Sequence, residues 1–255
     1  MKLTMNVLII TRNFYPYNNI GSFRINSFAK YFRKAGHSVT VVAEGERDEA
    51  ITWNDCDIHY IKDPIMTPKY LHNLEQKNKK WTLRRVIRAL ESRIFFGGPC
   101  IWRAKTCKKV EELFQKNNFD VVLSSYGPLT PHALVMKVLK KRYKFFWVAD
   151  MRDEMSKLPH YSKIHKKRLA FYERNILEKA DLVLSVSKPL IDDFKTMCSH
   201  DRFLEVRNGY DYEECYEINF QPQFTMGYIG RFYWMATPDN FFKAFSELIE
   251  EGRLP

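Results

Sequence analysis

The sequence predicts a doubly wound α/β domain with a largely parallel, Rossmann-like sheet, followed by a truncated second α/β domain. Short apolar runs without alternation are typical of strands buried on both faces, and here they alternate with segments of helical apolar spacing. After the turn signal Asn208-Gly209, an acidic connector leads into one more strand-like and one more helix-like segment. One strand and one helix cannot bury a core of their own. We therefore expect a first domain at residues 1–215 and an incomplete second domain at residues 216–255.

A strand–loop–helix–strand unit opens the chain. Met5–Thr11 is predicted as a buried strand and Arg12–Ser22 as a turn-rich loop. Phe23–Ala35 has helical apolar spacing and is followed by Gly36, a residue that commonly ends helices. Ser38–Ala43 is the next strand, which completes one right-handed βαβ unit.

The later segments continue the alternation of strands and helices. Further strands are predicted at Ile58–Ile61 (edge-like), Val121–Leu123, Phe145–Ala149, Leu182–Val186, Phe203–Val206 and Phe224–Ile229. Further helices are predicted at Lys79–Phe96, Cys100–Asn117, Pro128–Lys141, Lys163–Lys179, Pro189–Met197 and Asp239–Glu250.

Composition favours a cytoplasmic protein with reduced thiols. The 255 residues include five scattered cysteines with no C-x-x-C pair, which argues against a disulfide framework or a zinc site. The first ten residues are too short an apolar stretch for a signal peptide or a membrane span. We therefore expect a cytoplasmic location, with peripheral membrane contact at most.

The net charge of +11 is concentrated in one part of the chain, because Lys62–Lys116 holds 14 basic and 5 acidic residues. Such a field suits an anionic partner, although a solubilising surface gives the same pattern. Within it, the basic amphipathic segment Lys77–Phe96 could lie on an anionic membrane surface or pack on the sheet with a solvated basic face. Nucleic acid is not favoured as a partner, since no recognition motif accompanies the charge.

The sharpest functional signal follows the strand at Phe145–Ala149. Asp150, Arg152 and Asp153 come where open parallel sheets place ligand-contacting side chains. Two carboxylates and a guanidinium could supply a base, an orienting ion pair or acceptors for sugar hydroxyls. The alternative is that Arg152 pairs with an aspartate and only fixes the loop.

Two other loops are predicted at the same edge of the sheet. In the first, Gly21 permits close backbone approach, and Ser22 with the following amides presents donors at a helix N-terminus. The alternative is an ordinary capping turn with Ser22 as the N-cap and Arg24 in solvent. In the second, His132 is predicted in the first turn of a helix, facing the cleft, although a lone histidine more often has a structural hydrogen bond.

A fourth signal lies in the second domain, where Gly230 and Arg231 end a predicted strand. A glycine that allows backbone approach next to a guanidinium suits a diphosphate, although this motif alone is weak. Neither a G-x-G-x-x-G fingerprint nor a P-loop is present, and no histidine pair has metal-ligand spacing. The sequence therefore predicts no metal site.

Taken in order, these segments resemble the retaining glycosyltransferases of family 4, which have the GT-B fold of two facing Rossmann-like domains. The opening Val-Leu-Ile-Ile-Thr-Arg-Asn-Phe-Tyr-Pro resembles the first strand and acceptor-side loop of that family. The other segments that carry the resemblance are Arg24–His37, Phe119–Leu123 with Ser125, Pro128 and His132, Trp147–Asp153, Ala180–Ser187, Asn208–Asp211 and Gly227–Arg231.

The resemblance implies that the first domain faces the acceptor and the second binds a nucleotide diphosphate-sugar, with no metal or other cofactor required. It places Asp150, Arg152 and Asp153 near the transferred sugar as the catalytic group. It places Gly21, Ser22, Arg24 and His132 on the acceptor side. Gly230 and Arg231 would lie near the donor diphosphate. The implied reaction is sugar transfer to a glycan or lipid-linked acceptor in cell-envelope polysaccharide synthesis.

Two departures from the family pattern keep other interpretations open. The basic residue usually found a few positions after the Gly-Arg pair is missing, and so is the later acidic motif of the donor domain. One alternative is a non-catalytic homologue that binds the acceptor or acts as a scaffold, with a partner subunit completing the donor site. Another is a nucleotide-binding α/β protein of different chemistry.

Overall fold

A computed structural model describes residues 4–17, 20–63, 100–125, 127, 129–157, 161–209, 217, 225–230, 232 and 237–253. The chain divides into two compact units, Met1–Asp211 and Tyr212–Pro255. None of the helices within the described ranges is both long enough and apolar enough to cross a membrane.

Eight strands in the described part of the first unit form one sheet in the order β3-β4-β2-β1-β5-β6-β7-β8. Neighbouring strands are parallel except for the β3–β4 pair, which is antiparallel. The strands are β1 (Asn6–Ile10), β2 (Ser38–Gly45), β3 (Glu49–Trp53), β4 (Cys56–Lys62), β5 (Val121–Ser125), β6 (Phe146–Asp150), β7 (Leu182–Ser185) and β8 (Phe203–Glu205).

Helices cover both faces of this sheet. The described helices of the first unit are α1 (Ile20–Lys34), α2 (Cys100–Lys116), α3 (Thr130–Leu134), a π-helical segment (Val135–Leu139), α4 (Lys140–Arg142), α5 (Lys163–Lys179) and α6 (Lys188–Lys195). The apolar residues of α1 pack on one face of the sheet, and those of α2, α3, α5 and α6 pack on the other. Successive residues of β6 show this layering, because Trp147 and Ala149 join one core cluster and Val148 joins the other.

The order of the strands places the functional loops together. β1 lies between β2 and β5, so the connection after β1 and the connection after β5 leave the same edge of the sheet in opposite directions. Such a reversal point at the carboxyl edge of a parallel sheet opens a crevice for ligands. The structure thus confirms the predicted doubly wound α/β fold, and the loops after β1, β5 and β6 meet at this crevice.

The predicted edge strand at Ile58–Ile61 is wrong in its position within the sheet. Residues 56–62 form β4, which pairs with β2 on one side and with β3 on the other. β3 was not expected, because only a five-residue alternation marks it. Asn54 and Asp55, both with positive φ, form the two-residue turn that joins β3 to β4, and positive φ at both positions is characteristic of a type I′ hairpin.

The second unit contains one described helix, α7 (Asp239–Glu250), with the predicted bounds. The predicted strand at Phe224–Ile229 is wrong over its described part, since residues 225–229 belong to no β-sheet. A strand is stable only beside a hydrogen-bonding neighbour, and the described residues of this unit supply none. The segment Lys77–Phe96, predicted to contact a membrane, lies outside the described residues.

Candidate functional site

A buried ion pair lies at the centre of the carboxyl edge. Asp150 is the last residue of β6 rather than a loop residue, and it has no exposed surface. Its Oδ1 accepts a hydrogen bond of 2.9 Å from Nε of Arg24 on α1, and Arg24 Nη2 lies 2.9 Å from the same oxygen. Asp150 Oδ2 accepts from Ser125 Oγ at 3.0 Å, which ties β6 to β5. Asp150 is therefore saturated by partners within the fold.

Arg24 also reaches the segment that leaves the sheet after β8. Its Nη1 donates to the carbonyl of Val206 at 2.6 Å and to Oδ1 of Asn208 at 3.3 Å, and its guanidinium stacks on Phe28 with a centroid distance of 4.9 Å. A solvated Arg24, one of the alternatives from the sequence, is excluded because the side chain is only 4% exposed. One guanidinium thus holds α1, β6 and the exit from the sheet together.

Arg152 joins the loops after β1, β5 and β6. Its Nη1 donates to the carbonyl of Gly21 at 3.3 Å, and its Nε lies 3.9 Å from Asp150 Oδ2. Gly127, with φ of +116°, faces it so closely that a Cβ at this position would lie 3.1 Å from Arg152 Nη2. Asn13 Nδ2 donates to the carbonyl of Gly127 at 3.3 Å. Only glycine fits this junction without strain.

Asp153 is the exposed carboxylate of the predicted catalytic group, and it lies in the loop after β6. The far end of this loop is anchored by Glu173 on α5, whose carboxylate accepts from the backbone N–H of Met155 at 2.7 Å and from the hydroxyl of Ser156. Glu173 itself has no exposed surface, and this burial raises its pKa. The loop that carries Arg152 and Asp153 is therefore fixed at both ends.

Ser22 does not occupy the position predicted from the sequence. α1 begins at Ile20, so Ser22 lies inside the first turn instead of capping it. Its buried hydroxyl donates to the carbonyl of Tyr17, a bond within the preceding turn. Contact of Ser22 with an acceptor stays a prediction, and its burial favours a role in shaping the loop before α1.

His132 lies in α3, as predicted, but its ring has no exposed surface. Its Nδ1 lies 2.8 Å from Oγ of Ser124, which accepts from the indole Nε1 of Trp147 at 2.8 Å. Burial, together with the nearby charge of Arg152, lowers the pKa of His132 from 6.5 to about 3. The ring is thus neutral at physiological pH. Its assignment to the acceptor stays a prediction, and its surroundings favour a structural role.

On the donor side, the structure describes only one of the two predicted residues. Gly230 lies exposed in the second unit, and a Cβ at this position would meet the side chain of Tyr228. Arg231 lies outside the described residues. The assignment of both residues to a donor diphosphate stays a prediction.

One group of side chains in the described ranges has atoms of the kinds that bind metals. Ligand atoms of Glu178, Cys198 and His200 lie within 4.8 Å of one another. Glu178 already accepts from the backbone N–H and hydroxyl of Ser199, and His200 Nε2 bonds to the carbonyl of Leu177. Because Glu178 and His200 already have hydrogen-bond partners within the fold, the group is explained as a brace between α5 and the segment before β8.

Sequence reasoning did not foresee how Arg24 and Glu173 organise this site. Arg24 was assigned to the acceptor side, and in the fold it pairs with Asp150. The two residues are 126 positions apart, and the local sequence pattern around either one does not predict the contact. Glu173 did leave a signal, because it interrupts the apolar stripe formed by Leu169, Ile176 and Leu177 on α5. A carboxylate within such a stripe needs buried hydrogen-bond donors.

Removing one partner of the central ion pair should destabilise the protein strongly. Asp150→Ala leaves the Arg24 charge buried without its partner, which should lower the free energy of unfolding by about 3–5 kcal/mol. The double variant Arg24→Met/Asp150→Ala should be less destabilised than the sum of its single variants. Urea denaturation followed by tryptophan fluorescence measures all three.

The matched control is Lys188→Ala, which removes an exposed ion pair with Asp192 and should cost at most about 0.5 kcal/mol. If the double variant lost as much free energy of unfolding as the sum of the two single variants, the central role of the pair would be contradicted.

The buried His132 predicts a loss of stability in acid. The unfolded chain takes up a proton near pH 6.5, whereas the folded chain does so only near pH 3, so acidification between these values favours unfolding. Between pH 7.5 and pH 5, the free energy of unfolding of the wild type should fall by about 2 kcal/mol more than that of the variant His132→Gln. Urea denaturation at the two pH values measures the difference, and equal losses would show that His132 is accessible to protons in the folded state.

Comparisons with known proteins agree with this architecture. The sucrose-phosphate synthase from Thermosynechococcus elongatus superposes with a TM-score of 0.55 at 12% identity, over 81% of this chain and 49% of that chain. The catalytic domain of starch synthase IV from Arabidopsis thaliana, bound to ADP and acarbose, gives a TM-score of 0.48 at 9% identity, over 81% of this chain and 52% of that chain.

At 12% identity the similarity to the sucrose-phosphate synthase establishes the fold alone. The chain spans about half the length of both solved structures. No curated protein matches the chain. Residues 23–214, which include the whole sheet from β2 to β8 and nearly all of the site described above, match the model of Glycosyltransferase Family 4. Because this match covers most of the sequence, the chain belongs to glycosyltransferase family 4.

Proposed function

We propose that the protein takes part in the transfer of a sugar from a nucleotide diphosphate-sugar to a glycan or lipid-linked acceptor. Family membership implies a nucleotide-sugar donor. The observation that supports the proposal best is the junction at the carboxyl edge of the sheet, where loops from three strands meet around Arg152. A crevice at that position is where doubly wound sheets bind their ligands.

Within this site, Arg152 and Asp153 are the residues that we assign to the sugar. Asp153 presents an exposed carboxylate that can accept hydrogen bonds from sugar hydroxyls. The guanidinium of Arg152 can stabilise negative charge on the leaving diphosphate or orient the sugar. Both carboxylate oxygens of Asp150 contact Arg24, Ser125 or Arg152. This favours a positioning role for Asp150 over direct participation in the reaction.

The pathway and the place of the reaction are part of the same proposal. Synthesis of a cell-envelope polysaccharide from cytoplasmic nucleotide-sugars fits an acceptor that is a glycan or is linked to a lipid. We include in the proposal a partner subunit that contributes further donor-binding residues, because the basic residue that usually follows the Gly-Arg pair in the family is missing here.

The test combines ligand binding with transfer. The chain should gain thermal stability from at least one nucleotide-sugar in a panel with uridine, guanosine and thymidine diphosphate carriers, because a ligand that binds only the folded state raises Tm. Radiolabelled sugar should then pass to a glycan or lipid-linked acceptor. Asp153→Asn should reduce this transfer by about 100-fold, the size of a typical contribution from one catalytic group.

The matched control is Asp57→Asn, which removes an exposed carboxylate near the amino end of β4, at the opposite edge of the sheet. It should leave transfer unchanged. If the chain binds the acceptor but no nucleotide-sugar stabilises it, the enzymatic function is contradicted and the chain is an acceptor-binding subunit or scaffold. Stabilisation by dinucleotides alone would indicate a nucleotide-binding protein of other chemistry.

Contact with an anionic membrane through Lys77–Phe96 is a separate part of the proposal, motivated by the basic and aromatic composition of that segment. The chain should float with liposomes that contain phosphatidylglycerol at low salt and dissociate at high salt, because salt screens the attraction. Equal flotation with neutral liposomes would contradict an electrostatic contact.

A further inference from the structure

A cavity of about 220 Å³ lies beside the candidate site, on the face of the sheet covered by α1. Its walls are the outer side of α1 and the segment at residues 207–209, where the chain leaves β8. Arg24 forms part of the lining, and its guanidinium bonds Asp150 further inside the fold. The cavity is thus adjacent to the catalytic candidates but is lined by other side chains.

Aromatic side chains dominate the wall that α1 provides. Phe23 and Tyr31 line the cavity and are 51% and 50% exposed, and Phe28 lines it between them. Two large aromatic rings held half-exposed at a concave surface cost free energy in water and are typical of binding sites. Their ring faces carry negative partial charge, which attracts C–H groups and cations.

Positive charge lies next to the Tyr31 ring and on the opposite wall of the cavity. α1 contains no acidic residue, and Nζ of Lys30 and of Lys34 lie 5.8 and 5.2 Å from the ring centroid of Tyr31. Arg207 lines the opposite wall with a side chain that is 80% exposed, and its ion pair with Glu205 is on the surface, where such pairs contribute little. Asn208 adds an amide and Ser27 a hydroxyl.

We propose that this cavity binds an acidic sugar unit, with a carboxylate or a phosphate as its charged group. One face of a pyranose ring presents C–H groups, which fit the exposed aromatic rings. Its hydroxyls find partners in Ser27 and Asn208, and its anionic group finds a guanidinium in Arg207, which binds carboxylate and phosphate well. The concave shape favours a single sugar unit of a glycan over the flat surface of a membrane.

The site has a direct connection to the candidate catalytic group. Arg24 lines the cavity, and the same guanidinium bonds Asp150 at the end of β6 and Asn208 at the exit from the sheet. A ligand that contacts Asn208 therefore touches the network that positions Asp150. The inference concerns binding and does not require sugar transfer by this chain.

The experiment is a titration of the full chain with glucuronic acid and with glucose 6-phosphate, followed by saturation-transfer NMR. Glucose and inorganic phosphate are titrated in parallel. Both acidic sugars should bind saturably and more tightly than either glucose or phosphate alone, and added salt should weaken the binding.

Tyr31→Ala should weaken the binding of both acidic sugars about fivefold, the effect of losing one aromatic contact. Arg207→Glu should reverse the preference for acidic sugars over glucose. The matched control is Phe171→Ala, which removes a ring that is 65% exposed on α5, the helix against the other face of the sheet. It should bind like the wild type, and all three variants should keep the wild-type thermal stability.

Several results would overturn the proposal. The first is that neither acidic sugar binds saturably. The second is that Tyr31→Ala and Arg207→Glu leave the binding unchanged. If inorganic phosphate bound as tightly as glucose 6-phosphate, the cavity would be an anion site without specificity for a sugar. Binding of phosphatidylglycerol vesicles that depends on Tyr31, without binding of the sugars, would identify the surface as a membrane contact.

Discussion

The buried ion pair between Arg24 and Asp150 is the interaction on which the rest of the site depends. Both side chains are almost completely removed from water, which is costly for two charges unless each one is well paired. Here each is: the carboxylate has Arg24 and Ser125, and the guanidinium has Asp150, Val206 and Asn208. A helix, the end of a central strand and the exit from the sheet are thereby fixed in one geometry.

Much of the polar chemistry at the carboxyl edge serves this framework. Ser22 and His132 are bonded within the fold, and Glu173 holds the far end of the loop after β6. The two groups that we propose for the ligand are the exposed carboxylate of Asp153 and the guanidinium of Arg152, which lies between three loops and next to a glycine. Rigid support around a small number of ligand-facing groups is the usual construction of a preorganised site.

The sequence was sufficient for the fold and for the edge of the sheet that carries the site. Uninterrupted apolar runs identified β1 and β6, and the helical spacing of Asp239–Glu250 gave the bounds of α7. These features are local, because each depends on the burial of neighbouring residues. The edge strand β3 was missed because it is short and half-exposed, and its local signals are limited to a five-residue alternation and the turn residues Asn54 and Asp55.

The partner of a charged residue could not be predicted from local patterns, because it depends on tertiary contacts. Asp150 and Arg24 were both recognised as functional candidates, yet no periodicity relates positions on α1 and β6. The same holds for the cavity beside α1, whose two walls lie far apart in sequence, at Phe23–Tyr31 and residues 207–209. Local patterns predicted which residues lie near the crevice, and the fold decided which of them face one another.

The central claim is that the Arg24–Asp150 pair holds three separate segments in place. Hydrogen–deuterium exchange of the wild type and of Asp150→Asn, under conditions where both are folded, tests it most directly. The account predicts faster exchange in the variant at the start of α1, in the loop after β6 and around Val206 together, because local opening follows the loss of shared contacts. Faster exchange confined to β6, with α1 and the exit segment unchanged, would contradict it.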